Sequence, residues 1–227
     1  MERGTTSRQR EKLSRDRIVE TALRIMDTEG LDAVTMRRVG RELGVEAMSL
    51  YNHVRGKDDL LDGIRAYVLS QFEDPGTEGP WEERARRGAR SWREALRAHP
   101  NTLILISESK GPSTSADSMR PTEIALRLLT EIGLSEDETV KAFCAFGGYI
   151  VGFVLFEVGI MHTSGPALDA PGPEQMMASM PVDEFPCFAS SLPYLMQGDI
   201  DERFEYGLDL MLAGLHAKRQ AVSAISR

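Results

Sequence analysis

Residues 35–57 read TMRRVGRELGVEAMSLYNHVRGK, and their apolar spacing is that of two short helices joined at a glycine. Val39 and Leu43 fall one turn apart on one face of the first helix, which leaves Arg37, Arg38 and Arg41 to solvent or phosphate. Gly44 supplies the left-handed backbone position that stops it. After Val45 a second run begins, in which Leu50 and Val54 repeat at i, i+4 as a buried stripe, with Ala47, Met48, Ser49, Asn52 and His53 on the opposite side. Two helices crossing at so short a turn free the second to enter a major groove while the first crosses the backbone. Glycine turns between short helices also occur in proteins that touch no nucleic acid. The spacing alone therefore leaves two classes open, a DNA-reading module and a helical interaction module.

Upstream, the pattern predicts a supporting helix over residues 15–28, with Ser14 as its N-cap, Ile18, Ala22, Ile25 and Met26 as its inner stripe and Gly30 as its end. Downstream, a connecting helix starts near Lys57, takes Asp58 and Asp59 into its positive first turn, and continues through Leu60, Leu61, Ile64, Val68 and Phe72. EDPGTEGP at 73–80 is a turn-rich break and the expected domain boundary. A fifth helix over 81–98 carries Trp81, Ala85, Trp92 and Leu96 on one side. Its neighbouring stripe of Arg86, Arg90, Arg93 and Arg97 reads as a solvated face, with an anionic ligand or a partner carboxylate as the alternatives.

Pro100 precedes a short apolar run at 103–106, and 110–118 reads as a loop before Pro121 at the first position of a seventh helix. Ser135 and Glu138 form a capping box for an eighth helix reaching about Met161. Residues 163–181 read as a long loop, 186–196 as a short helix, and a last helix opens at Asp199 with Glu202 completing a second capping box. Phe204, Leu208, Met211, Leu212 and Leu215 recur along it at helical spacing. No strand and no internal repeat is legible, so the expected class is all-α.

The 227 residues carry a net charge of −8, which is the wrong sign for a polyanion binder until the chain is divided. Residues 1–57 hold 12 Lys and Arg against 9 Asp and Glu, a net of +3; the rest holds 15 against 26, a net of −11. A basic head on an acidic body orients a protein on DNA and repels the wrong face. Arg8, Arg10 and Lys12 make residues 1–13 a flexible basic arm, either a minor-groove arm or an idle tail. Cys144 and Cys187, each in an apolar run, read as buried free thiols in a reducing cytoplasm. No apolar segment follows the charged N-terminus, so no secretory signal is expected. The apolar stretch 142–156 reads as a core or interface helix, too short for a bilayer and interrupted by Gly147, Gly148 and Gly152, so no membrane association is expected. Without a nucleophile elbow, phosphate loop, H-E-x-x-H or other ligand-spaced cluster, enzyme chemistry is not expected, nor any cofactor or metal.

From Ser14 to Phe72 the chain resembles the DNA-binding domain of the TetR (tetracycline repressor) family of transcriptional regulators. SRDRIVETALRIMDTEGLDAVTM and then VGRELGVEAMSLYNHVRGKDDLLDGI stand in family order, with the Leu-Gly-Val turn, the Leu-Tyr-x-His-Val core and the Gly-Lys-x-x-Leu-Leu start of the fourth helix. Beyond about residue 75 only helicity and apolar richness match. The resemblance implies an all-α fold: a three-helix helix-turn-helix DNA-binding domain over 14–57, a connecting helix over 58–74, and a ligand-binding and dimerisation domain over 75–227. It also implies a homodimer, joined through the counterparts of the family's eighth and tenth helices, roughly 136–161 and 200–219 here. Such a dimer places two reading helices about 34–36 Å apart on a palindromic operator. The glycines of the eighth helix would allow a close approach, although both helices also read as intrachain core.

Carried over position by position, Arg37 matches a base-reading arginine whose guanidinium can take guanine O6 and N7, a phosphate contact being the alternative. Ala47, Met48, Ser49 and Asn52 occupy base-facing positions, the first two suited to thymine methyls. Tyr51, His53 and Lys57 match phosphate-contacting positions, and Thr35 can cap its helix and touch phosphate at once. The resemblance further implies a small-molecule effector held among the fourth to eighth helices. The candidate lining is Tyr67, Trp92, Leu103, Ile106, Phe143, Phe146, Tyr149 and Phe153, each of which also reads as plain core. His99 and His162 lack the pattern of a tetracycline–magnesium sensor, so a hydrophobic or aromatic effector other than tetracycline is expected. The expected mode is a repressor released when its effector binds.

Overall fold

The computed structural model describes residues 12–107, 116–163 and 181–225, and among them every regular element is helical. The chain forms α1 Arg15–Glu29, a 3-10 turn Leu31–Ala33, α2 Met36–Leu43, α3 Ala47–Leu50, α4 Lys57–Ser70, α5 Trp81–Ala98, α6 Thr102–Ser107, α7 Ala116–Thr130, α8 Glu136–Thr163, α9 Pro186–Gln197 and α10 Ile200–Ile225. Two compact units result. The first comprises Met1–Phe72 with Asn101–Pro121, and the second Glu73–Pro100 with Thr122–Arg227.

In the first unit the local signals act as the sequence predicts. Ser14 accepts the Arg17 amide at 3.3 Å to cap α1, and Gly30, at φ 86°, ends it. Ile18, Ala22, Ile25 and Met26 are sealed in one core with Val39, Leu50, Val54, Leu60, Ile64 and Val68. Burial of each of the larger side chains, Val, Leu, Ile or Met, stabilises by about 1.5–3 kcal/mol, and that core holds short helices that would not persist alone. Sequence periodicity did not foresee that α6 belongs here. Leu105 joins this core, and the Asn101 amide donates to the Met26 carbonyl at 2.8 Å.

In the second unit α5 packs on α8, and Trp81, Leu128, Leu129, Ile132, Leu134, Leu212 and Leu215 form a core. The Ser135–Glu138 capping box forms, with the Ser135 hydroxyl 3.0 Å from the Glu138 carboxylate. Several expectations are corrected. The arginine stripe of α5 is not a solvated face but an intrachain zipper. Arg86 reaches Glu205 at 2.8 Å and Asp209 at 2.6 Å, Arg90 reaches Glu205 at 2.6 Å, and Arg93 reaches Asp201 at 2.6 Å. Arg93 and Arg97 also converge on Glu157 of α8, whose side chain is only 1% exposed. Pro121 lies inside α7 rather than at its start, because 116–118, expected as loop, are already helical; a proline this near an N-terminus forfeits few intrahelical bonds.

Cys144 and Cys187 are free but exposed, since the faces of α8 and α9 that carry them, with Val140 and Phe188, are not covered by the described residues. The apolar stretch 142–156 sits within a helix of 28 residues, and its portion Glu136–Gly159 is long and apolar enough to cross a membrane. Glu157 on that helix is instead neutralised by two arginines. The expected loops at 110–115 and 164–180, and Arg8 and Arg10 of the basic arm, lie outside the described residues.

Candidate nucleic-acid interface

Thr35 opens α2 by accepting the Arg38 amide at 3.1 Å, and Gly44 closes it in the left-handed region at φ 68°, ψ 32°. The chain reverses there, with the Val45 amide bonded back to the Gly40 carbonyl at 2.9 Å. α3 is a single turn, extended as far as Val54 by bonds from the His53 and Val54 amides to the Leu50 carbonyl at 2.9 and 3.0 Å. Leu50 and Val54 are buried beneath it, as their spacing requires. The outer side therefore faces solvent: Met48 is 71% exposed and Tyr51 48%, Asn52 and Lys57 are exposed, and Ala47, Ser49 and His53 are half-buried.

Gly40 escaped the sequence reading. A Cβ on it would stand 3.0 Å from the Val45 carbonyl oxygen and 3.3 Å from the Ala47 Cα, so its bare backbone is what lets α2 and α3 cross so closely. The available signal was a glycine inside a short helix, four residues before the turn glycine.

The three arginines of α2 have different fates. Arg38 donates to Glu29 at 2.6 Å and to Glu42 at 2.7 Å. Those hydrogen bonds hold both carboxyls below their usual range and raise the Arg38 guanidinium further. Arg38 is thus spent inside the fold. Arg37 and Arg41 are exposed, and neither makes a salt bridge among the described residues. They line, with Thr35, Arg38, Val45 and Ala47, an open concavity of about 470 Å³. That hollow joins three of the sequence-derived DNA candidates, Thr35, Arg37 and Ala47, to Arg41, which the candidate set omitted although it lies one helical turn beyond Arg37. A second hollow of about 460 Å³, at the start of α4, is lined by Arg55, Gly56, Lys57, Asp58, Asp59 and Asp62.

The effector candidates separate into three groups. Tyr67, Leu103 and Ile106 belong to the first unit, where Tyr67 and buried Leu103 are core-side. Phe143 and Phe146 pack against the Trp81 core of the second unit, and Trp92 is half-buried on α5. Tyr149 and Phe153 gather with Phe204, the Tyr149 and Phe204 rings stacked at 5.5 Å, and the Arg93 guanidinium lies 4.7 Å from the Phe204 ring centre. The Tyr149 hydroxyl donates to the Phe204 carbonyl at 2.7 Å, and burial pushes its phenol up. His99 is half-buried, and among the described residues no His, Cys, Asp and Glu cluster has metal-binding geometry.

The chain is similar to known proteins over most of its length. Residues 18–64 match the model of bacterial regulatory proteins of the tetR family, and residues 74–219 match that of the tetracyclin repressor-like C-terminal domain. The chain is 33% identical to the HTH-type transcriptional repressor DrrR1 of Streptomyces coeruleorubidus, over 93% of its own length and 82% of the relative's. It is 28% identical to the class C tetracycline repressor protein of Escherichia coli, covering 94% and 95% of the two chains. Among solved structures it is similar to ActR of Streptomyces coelicolor in complex with actinorhodin, with a TM-score of 0.77 and 32% identity over 92% of this chain and 97% of that one.

Proposed function

Because the chain belongs to the tetR family of bacterial regulatory proteins, which are DNA-binding transcriptional regulators and not enzymes, we propose that it is a dimeric repressor released from a palindromic operator by a hydrophobic or aromatic small molecule. The observation that carries this is the reading surface. A buried Leu50–Val54 stripe turns Met48, Tyr51 and Asn52 outward beside Arg37 and Arg41, two arginines without an ion-pair partner among the described residues. Arg37, Ala47, Met48, Ser49 and Asn52 read base edges, while Thr35, Tyr51, His53 and Lys57 hold phosphates.

Dimerisation is supported by exposed apolar side chains on α8 and α10: Val140, Leu155 and Phe156 on the first, Tyr206 and Leu210 on the second, each more than half exposed. Gly147, Gly148, Gly152 and Gly214 have open space where a Cβ would be, so a partner helix can come close. An apolar face of this kind is what an isologous two-fold interface buries. The effector is bound through the aromatic candidates of the second unit, Trp92, Phe143, Phe146, Tyr149 and Phe153. That a small molecule fills this role is supported by the complex of the similar protein ActR with actinorhodin. Binding displaces α4, alters the separation of the paired reading helices and weakens operator affinity by about 1–3 kcal/mol or more. The protein acts in the cytoplasm, beside its DNA.

The test is selection of duplexes from a random pool, followed by titration of the selected site in rising salt and sedimentation of the free protein. A palindromic consensus, a steep salt slope and a dimer are expected. A monomer that selects no sequence would leave only a helical interaction module.

A further inference from the structure

The segment between α3 and α4 bears two of the four phosphate-contacting candidates, Tyr51 and His53, and leads into a third, Lys57, yet α3 is one turn long and cannot orient itself. What holds it comes from elsewhere in the first unit. The Arg15 guanidinium of α1 forks onto the Asp59 carboxylate of α4, Nη2 to Oδ1 at 2.9 Å and Nη1 to Oδ2 at 3.0 Å. The two halves of this pair then grip the backbone on either side of Val54. Arg15 Nη1 donates to the His53 carbonyl at 3.3 Å, and the Arg55 amide donates to Asp59 Oδ2 at 2.8 Å. Gly63, one turn beyond Asp59, keeps the helices close enough for this reach: a Cβ there would come within 2.8 Å of Val19 Cγ2 and 3.5 Å of Arg15 Nη2. The Arg15 hydrogen bond holds the Asp59 carboxyl down at about 2, so the clamp is charged at neutral pH.

We propose that Arg15 and Asp59 are positioning residues for DNA reading: an ion pair that touches no DNA but fixes the Tyr51–Asn52–His53 turn against α1 and against α4, the helix that Lys57 opens. The proposal rests on the DNA-binding function above. It also gives any rotation of α4 a direct grip on the reading turn, because Asp59 rides on α4 while bonded to the Arg55 amide.

The experiment uses the full-length protein, a duplex that the wild type selects from a random pool, and an unrelated duplex of equal length. Arg15→Lys keeps the charge but loses the planar fork that serves Asp59 and His53 together, and Asp59→Asn removes the anion. The readout is the ratio of affinities for the two duplexes, taken well below the melting temperature with helicity checked. Displaced phosphate and base contacts should cut that ratio about tenfold or more, and phosphate attraction to the unrelated duplex should stay within about twofold for Arg15→Lys. If Asp59→Asn does not fold, Arg15→Lys decides alone. A wild type that prefers no duplex removes the DNA function and the clamp with it. A wild type with a preference that both variants keep removes the clamp alone, whatever happens to their stability.

Discussion

Replacing Glu157 by Gln should be the most damaging single-atom change in the second unit. The carboxylate is 1% exposed and accepts from Arg93 Nε at 3.0 Å and Arg93 Nη2 at 3.1 Å, while Arg97 Nε lies 3.1 Å away. Arg97 is 42% exposed and returns to water at little cost, so the loss concentrates on Arg93, which is only 9% exposed. Bonds to charged groups contribute about 1.5–3 kcal/mol each, and Gln can keep one of the two to Arg93. Adding the penalty for a buried, half-paired guanidinium places the variant about 3 kcal/mol below wild type, at the low end of the roughly 3–5 kcal/mol typical of a broken buried pair. Asp201 stays as a second anion, but at 65% exposure it is well screened. For a chain of this size the unfolding midpoint should fall by roughly 6–12 °C, read by circular dichroism or calorimetry. The double variant Arg93→Met with Glu157→Leu removes both charges and should lie within about 1–2 kcal/mol of wild type. A Glu157→Gln loss below about 1 kcal/mol, or a double variant as poor as the two single losses added, would refute the buried pair as the strut between α5 and α8.

Gly40→Ala gains about 0.5–1 kcal/mol of helix propensity but meets the backbone of Val45 and Ala47, an overpacking cost of about 1–3 kcal/mol, so chemical denaturation should report a net loss and operator titration a weaker complex. Unchanged affinity would mean the α2–α3 crossing has slack. Arg37→Ala should relax sequence preference at one operator position by about 1–3 kcal/mol, whereas Lys57→Ala should weaken all duplexes alike and lower the salt slope by about 1; identical behaviour of the two would make Arg37 a phosphate contact. Asp59 titrates at about 2 when folded against an ordinary 3.8, so its stabilisation is complete above 3.8 and disappears as pH falls towards 2. Melting curves across that window should converge for wild type and Asp59→Asn at the acid end and separate above it; parallel curves would contradict the Arg15–Asp59 bond.

The reading head was legible in the chain because its determinants are local. Ser14, Thr35, Gly30 and Gly44 act on their own helix ends, and the Leu50–Val54 spacing is set by one turn of one helix. Arg37, Tyr51 and Lys57 are exposed, as period expects. Arg41 was equally legible as a group open to solvent or phosphate, yet it was left out of the DNA candidates. The effector candidates were less so, since an aromatic side chain on an apolar stripe has the same signature whether it packs or binds.

Local pattern alone thus determined an all-helical chain, its turns and a helix pair with exposed arginines on its first member, because capping, glycine conformation and amphipathic period act within a few residues. Tertiary structure decided what no window of that length contains: Arg38 neutralised by Glu29, Arg15 gripping Asp59, α6 returning to the first core, and the α5 arginines meeting carboxylates on α8 and α10. An arginine's spacing states which face it occupies, but whether that charge meets water, DNA or a carboxylate depends on the chain that folds up opposite it.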